Sequence, residues 1–293
     1  VIDGTRAFLR LVTIEHSVFA LPFAFLGALA AMTVLNGQIN WAVLAVITIA
    51  MVSARTFAMA ANRIIDRHID GRNPRTARRE LVTGALSLRT AWTGAIVALV
   101  VFLACAAALN PLCFALAPLA LVPLVVYPYG KRFTNWPHAL LGVAQLIGPV
   151  GAWLGVTGTL RGSGPAWVLG LAVGLWIGGF DLIYACQDTE IDRRIGVHSV
   201  PARFGVPFAL RLSTVVHVVT FALFVWFGAL VGLGWLWWIG LALTAAAFVY
   251  EHAIVRADDL SRVNRAFFTA NGFVGIVLFV FALADLVLRL GLR

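Results

Sequence analysis

The stretch WAVLAVITIAMVSARTFAMAANRIIDRHID, residues 41–70, decides the fold class. Residues 41–62 are apolar enough and long enough to cross about 30 Å of hydrocarbon as a helix. The stretch then turns polar but keeps a helical rhythm. Arg55, Asn62, Asp66 and Asp70 are spaced by seven, four and four residues, which puts them on one helix face. Similar apolar runs recur at roughly 18–35, 90–109, 112–129, 138–157, 166–187, 208–231, 235–252 and 267–288. They are separated by turn signals such as Asn36-Gly37, Asn110-Pro111, Trp136-Pro137 and Gly232-Leu233-Gly234. The expectation is an all-α membrane protein of nine transmembrane helices, forming a single domain over residues 1–293. Continuous apolar runs, without alternation, exclude a β-barrel.

Composition agrees. Of 293 residues, 61% are hydrophobic and 12% charged, so few remain for a soluble domain. The net charge of +9 would suggest nucleic acid in a soluble chain. In a membrane protein it reads as topology, and no nucleic-acid partner is expected. All basic residues except Arg161, Arg289 and Arg293 fall on one side of the nine-span arrangement. That side is then cytoplasmic and includes the N-terminus. Arg6 and Arg10 precede a first apolar run too long for a cleaved leader. The expected setting is the cell's inner membrane, with the bilayer as surroundings and no obligate protein partner. Cys105, Cys113 and Cys186 lack metal-site spacing and read as packing residues.

A second polar ladder, DLIYACQDTEID at 181–192, ends the sixth apolar run. Asp181, Tyr184, Asp188 and Asp192 would share a helical stripe, with Asp181 about 10 Å deeper than Asp188 at 1.5 Å per residue. NRIIDRHID and YACQDTEID match at their DxxxD, 122 residues apart, and each is followed by an arginine-rich loop. Carboxylates at a membrane edge are costly without a task. Two facing ladders would hold Mg2+, which seeks carboxylates together with a substrate's phosphates. The ordinary alternative is a solvated helix end, with Asp66 and Asp70 paired to Arg63, Arg67 or other neighbours.

Cations for an anionic substrate are at hand. Lys131, the only lysine, and Arg132 lie in YPYGKRF, residues 127–133. Arg72, Arg75, Arg78 and Arg79 crowd the loop after the first ladder. Arginine forks suit phosphate oxygens, and lysine acts as a point charge. The six histidines are scattered in sequence and read as interfacial or packing residues.

These motifs resemble the UbiA family of intramembrane prenyltransferases. The family's NxxxDxxxD motif corresponds to Asn62, Asp66 and Asp70, and its DxxxD motif to Asp188 and Asp192. Asp181 and Tyr184 stand upstream as in the 4-hydroxybenzoate polyprenyltransferase group. YPYGKRFT is similar to that group's YxxxK segment and singles out Tyr127 and Lys131. The resemblance runs from IEHSVFALPFAFLGA to NRAFFTANGFVG, nearly the whole chain. It implies nine helices around a central cavity open sideways to lipid. In that cavity Asn62, Asp66, Asp70, Asp188 and Asp192 would hold Mg2+ and a polyprenyl diphosphate. Lys131, Arg72, Tyr127 and Arg132 would contact the diphosphate, with Lys131 and Tyr184 taking part in the chemistry. Asp181 would orient an aromatic acceptor or take its proton, and Arg55 or Arg132 would meet an acceptor carboxylate. One departure stands out. RTARREL has Glu80 where many relatives have proline, which is similar to the menaquinone subgroup whose acceptor is 1,4-dihydroxy-6-naphthoate.

Rival readings are an ion-coupled transporter, since intramembrane acids and a faint repeat would also fit one, and a related enzyme whose acceptor is haem B or chlorophyllide. Against a carrier, both ladders lie at one membrane edge and not at the midplane.

Overall fold

The computed structural model describes residues 17–293 together with Phe8 and Leu11; side chains are described from Leu21 onward, apart from those two. Arg6, Arg10, His16 and the predicted side of the N-terminus lie outside the described residues.

The long helices, in chain order, are α1 (Ser17–Leu35), α2 (Trp41–Arg72), α3 (Leu88–Leu109), α4 (Pro111–Phe133), α5 (Pro137–Thr157), α6 (Gly164–Ala185), α7 (Val206–Val231), α8 (Trp235–Ile254) and α9 (Asn271–Leu288). Among the described residues, eight helical segments are long and apolar enough to cross a membrane, and a shorter apolar helix spans Leu21–Leu35. The helices begin where the sequence supplies caps. Asn40, Ser87 and Asn110 accept from Val43 N, Thr90 N and Cys113 N, leaving fewer orphan N–H groups at each start. Pro111 and Pro137 occupy first-turn positions, where a missing N–H costs nothing.

α6 is the central helix, with Val168, Leu169, Ala172, Val173, Trp176 and Ile177 all buried. Small residues let neighbours approach it. A methyl at Gly174 would lie 2.5 Å from Gly142 O on α5, and one at Gly170 would lie 2.8 Å from Leu146 O. Such contact between backbones is how helices gain packing where surrounding lipid is as apolar as leucine. Bulky side chains fill the remaining space, including Phe23, Trp153, Trp176, Phe224, Phe227 and Trp237. The outer face presents Trp41, Val97, Leu119, Val218 and Val249, an apolar belt expected against acyl chains.

Asp285, an acid outside both ladders, is fully buried on α9. It accepts from Gly234 N and Trp237 N at 2.8 Å each. Its negative charge therefore sits at the N-terminus of α8, where the helix dipole favours it. At the opposite end of the bundle, α2 runs 32 residues without a break, about 48 Å at 1.5 Å per residue. That length exceeds the bilayer core, so the first ladder rides on a helical extension.

Candidate active site

The first ladder is followed by a turn that the sequence specifies closely. Pro74 disfavours the helical conformation at Asn73, whose backbone is extended. Asn73 Oδ1 accepts from Arg75 N at 2.9 Å, an Asx turn, and Thr76 Oγ1 donates to Asp70 O at 2.9 Å. The turn sends Arg75 back over the second ladder. Its Nε donates to Asp188 Oδ1 at 3.0 Å and its NH2 to Asp188 Oδ2 at 2.5 Å. NH1 donates to Tyr184 OH at 3.0 Å, and Asn73 Nδ2 adds a bond to Asp188 Oδ1 at 3.1 Å. Burial opposes the charge of Arg75, but the hydrogen bond and charge of Asp188 outweigh it and hold the guanidinium above its ordinary value.

The second ladder is not one helical stripe, as its spacing predicts. α6 ends at Ala185, a 3₁₀ turn covers Cys186–Asp188, and a two-turn helix spans Thr189–Ile195. The tighter turn rotates Asp188 and Asp192 relative to Asp181. Asp192 is buried and accepts from Ser199 Oγ at 3.0 Å, while Ser199 also caps Val200–Phe204. Gly196, with φ +74°, closes the two-turn helix in the left-handed conformation that glycine tolerates.

Asp66, in the first ladder, faces α4. It has no exposed surface, and Lys131 Nζ lies 2.6 Å and Arg132 NH1 3.0 Å from its two oxygens. Asn62 Nδ2 donates to it at 3.2 Å. Asp70, also buried, meets Arg79 at 2.6 Å. Each ladder acid is thus paired or bonded across elements, and the cations on Asp66 and Asp70 are Lys131, Arg132 and Arg79, neighbours other than Arg63 and Arg67.

Two adjoining cavities meet at Tyr127. One, of about 210 Å³, is polar and includes Asn62, Asp70, Lys131, Asp181, Asp188 and Asp192 in its wall. Arg75, Arg79 and His138 border it as well. The other, of about 180 Å³, is walled by side chains such as Ile47, Met51, Phe102, Leu116 and Leu124, with Arg55 and Gln145 among its few polar groups. Tyr127 borders both. Arg55 Nε is buried with no hydrogen-bond partner among the described residues.

Most of the predicted residues therefore converge, and some stand apart. Arg72 is exposed and does not border the polar cavity, whereas Arg75 and Arg79 do. Arg132 is spent on Asp66, Pro128 O and Ile65 O, and braces α4 against α2. Tyr184 reaches the site through Arg75 and packs its ring 4.3 Å from Phe267. Sequence reasoning passed over His138, whose Nδ1 lies 2.7 Å from Asp181 Oδ2. The carboxylate can only accept, so the proton sits on Nδ1. His138 Nε2 is left buried, without a partner among the described residues. The histidines are also less scattered than they look, since His217 and His252 meet beside Glu251.

The UbiA prenyltransferase family profile matches residues 20–273. A 4-hydroxybenzoate octaprenyltransferase from Alkalilimnicola ehrlichii is 33% identical over 244 residues, covering 83% of this chain and 82% of that protein. The enzyme of that name from Xanthomonas campestris is 36% identical over 239 residues, covering 80% and 77%. Among solved structures, the apo form of a UbiA homologue from Aeropyrum pernix superposes with a TM-score of 0.84 at 35% identity, over 93% of this chain and 98% of that one. A UbiA homologue from Archaeoglobus fulgidus bound to DMAPP and Mg2+ shares the fold, with a TM-score of 0.72 at 20% identity over 95% and 98%. The chain belongs to the UbiA prenyltransferase family. It is a multi-pass integral membrane prenyltransferase, and the transporter reading falls.

Proposed function

We propose that this member of the UbiA family transfers a polyprenyl group from a polyprenyl diphosphate to the ring of a hydroxybenzoate-like acceptor, on the way to a quinone. The observation that carries the reading is the junction at Tyr127. A charged, oxygen-rich cavity adjoins an aliphatic one, and a polyprenyl diphosphate has the same division along its length. The acceptor class comes from the similar octaprenyltransferases, named for 4-hydroxybenzoate. Glu80 keeps 1,4-dihydroxy-6-naphthoate as the second acceptor to test.

Asp66, Asp70, Asp188 and Asp192, with Asn62, are the residues that would hold Mg2+. Asn62, Asp70, Asp188 and Asp192 fit, because they wall the polar cavity with carboxylate and amide oxygens and no thiolate, while Asp66 is buried outside that wall and would have to exchange Lys131 or Arg132 for the ion. Bound there, the ion would supply Lewis-acid neutralisation of the diphosphate. Lys131, Arg75 and Arg79 border the same cavity, so a diphosphate entering it meets cationic donors already in position. Arg55, half-buried beside the aliphatic cavity with a buried Nε that has no partner among the described residues, is suited to an acceptor carboxylate. Asp181 holds His138 with its proton on Nδ1, which leaves Nε2 to take the ring proton once the new carbon–carbon bond has formed. The aliphatic wall keeps water from an allylic cation.

In this reading α1 is a ninth span, and the polar cavity opens on the cytoplasmic side of the inner membrane. The charge asymmetry of the loops supports this. The test is an assay in detergent with geranyl or farnesyl diphosphate against 4-hydroxybenzoate and 1,4-dihydroxy-6-naphthoate, with products identified by mass. EDTA should stop turnover and added Mg2+ restore it. Turnover indifferent to chelation, or no product from either acceptor, would overturn the proposal.

A further inference from the structure

A second polar cluster, outside the walls of both cavities, lies between α7 and α8. His217, Glu251 and His252 turn one ligand atom each toward a common point, and these atoms all lie within 4.8 Å of one another. His217 Nδ1 is 3.0 Å from His252 Nε2 and 3.6 Å from Glu251 Oε2. Glu251 has no exposed surface, and its Oε2 has no hydrogen-bond partner among the described residues.

The outer atoms of all three side chains are already engaged, and this dictates what the inner atoms carry. His217 Nε2 lies 3.2 Å from Trp176 O, a carbonyl that can only accept, so the proton is on Nε2. His252 Nδ1 lies 3.2 Å from Thr214 Oγ1, whose own proton goes to Leu210 O at 3.0 Å. With its proton so placed, Thr214 Oγ1 is free to accept from His252 Nδ1, the arrangement that leaves Nε2 as a ligand. Asn271 Nδ2 donates to Glu251 Oε1 at 2.7 Å and orients the carboxylate. With both imidazoles neutral, two nitrogen lone pairs and a carboxylate oxygen face one another in a buried space. A cation among them would satisfy all three acceptors at once.

We propose that His217, His252 and Glu251 bind a divalent transition-metal ion of the zinc class, which clamps α7 to α8. Two imidazoles and one carboxylate are ligands that zinc takes in open sites, and they suit it better than magnesium. Tetrahedral zinc–nitrogen bonds of about 2.05 Å place neighbouring ligand atoms about 3.3 Å apart, and the two measured separations bracket that value. Each ligand also has the supporting hydrogen bond that metal-bound histidines and carboxylates characteristically make. The ring of His217 fits only because residue 179 is glycine, where a methyl would come 2.6 Å from Nε2.

The test uses the full-length protein in detergent, stripped of metal, held in excess Mg2+ to occupy the ladders, and titrated with Zn2+ or Co2+. One equivalent should bind, Co2+ should give visible d–d absorption, and Zn2+ should raise the unfolding temperature. His252→Ala and Glu251→Gln should lose that equivalent and the absorption, and Asp188→Ala should keep both. Thr214→Val, which removes only the supporting hydroxyl, should weaken binding by about 10–100-fold. If Glu251→Gln does not fold, His252→Ala and Thr214→Val decide the matter. Absence of the bound equivalent in the wild type, or equal binding in the His252 and Thr214 variants, would overturn the site and leave a shared proton as the cation that holds the cluster together.

Discussion

Replacing Arg75 by alanine asks most of the site, because this side chain makes three of the four hydrogen bonds described between the loop after the first ladder and the second ladder, Asn73 making the fourth. The substitution removes two charge-assisted bonds to Asp188 and one bond to Tyr184. Bonds to charged groups contribute about 1.5–3 kcal/mol each in favourable settings. The Arg75 side chain keeps 37% of its exposure, so water recovers part of this, and the net loss of local order should be about 1–2 kcal/mol. That is too little to unfold a bundle of this size. The effect on turnover should be larger. Removing one donor aimed at developing negative charge costs about 2.7–4 kcal/mol, or roughly 10²–10³ in kcat. Arg75→Lys keeps a charge but not the fork, and should fall between alanine and wild type. Arg78→Ala, exposed on the same loop, is the control and should behave as wild type. The assay is the initial rate of prenylated product at varied diphosphate concentration, alongside a thermal melt. Wild-type kcat and KM in Arg75→Ala would refute the role of Arg75 at the diphosphate. A collapse of the melting temperature would refute the view that its contacts are local.

Asp66→Ala and Asp188→Ala should each abolish turnover while the protein still inserts and purifies. Asp66→Ala should also melt lower, because Lys131 and Arg132 lose their shared buried partner, and breaking such a pair costs about 3–5 kcal/mol before their partial exposure is discounted. His138→Gln and Asp181→Asn should lower kcat to similar extents, and the double variant should be little worse than either, as expected for groups acting as a unit; additive losses would separate their roles. Gly174→Ala should destabilise the bundle by about 1–3 kcal/mol through overpacking against Gly142 O, read as a lower melting temperature in detergent.

Much of this molecule was legible before any coordinates. Apolar runs of membrane length announce helices because lipid cannot satisfy an exposed backbone, and charge asymmetry orders the loops. The four-residue spacing of Asn62, Asp66 and Asp70 is a local property, since it depends only on the pitch of the helix that carries them. What remained hidden was every relation across elements. The chain order offers no sign that Arg75 reaches Asp188, 113 residues on, or that His138 meets Asp181. Nor does spacing reveal the break at Cys186–Asp188, because a 3₁₀ turn and an α-turn differ by a fraction of a residue and the choice rests on packing. The same holds for His217 and His252, 35 residues apart in sequence and in contact only because α7 and α8 lie side by side. Periodicity and charge are one-dimensional signals, and they determined the membrane fold and the acidic ladders. Which cation faces which acid is a matter of distance in three dimensions, and only the packed helices decided it.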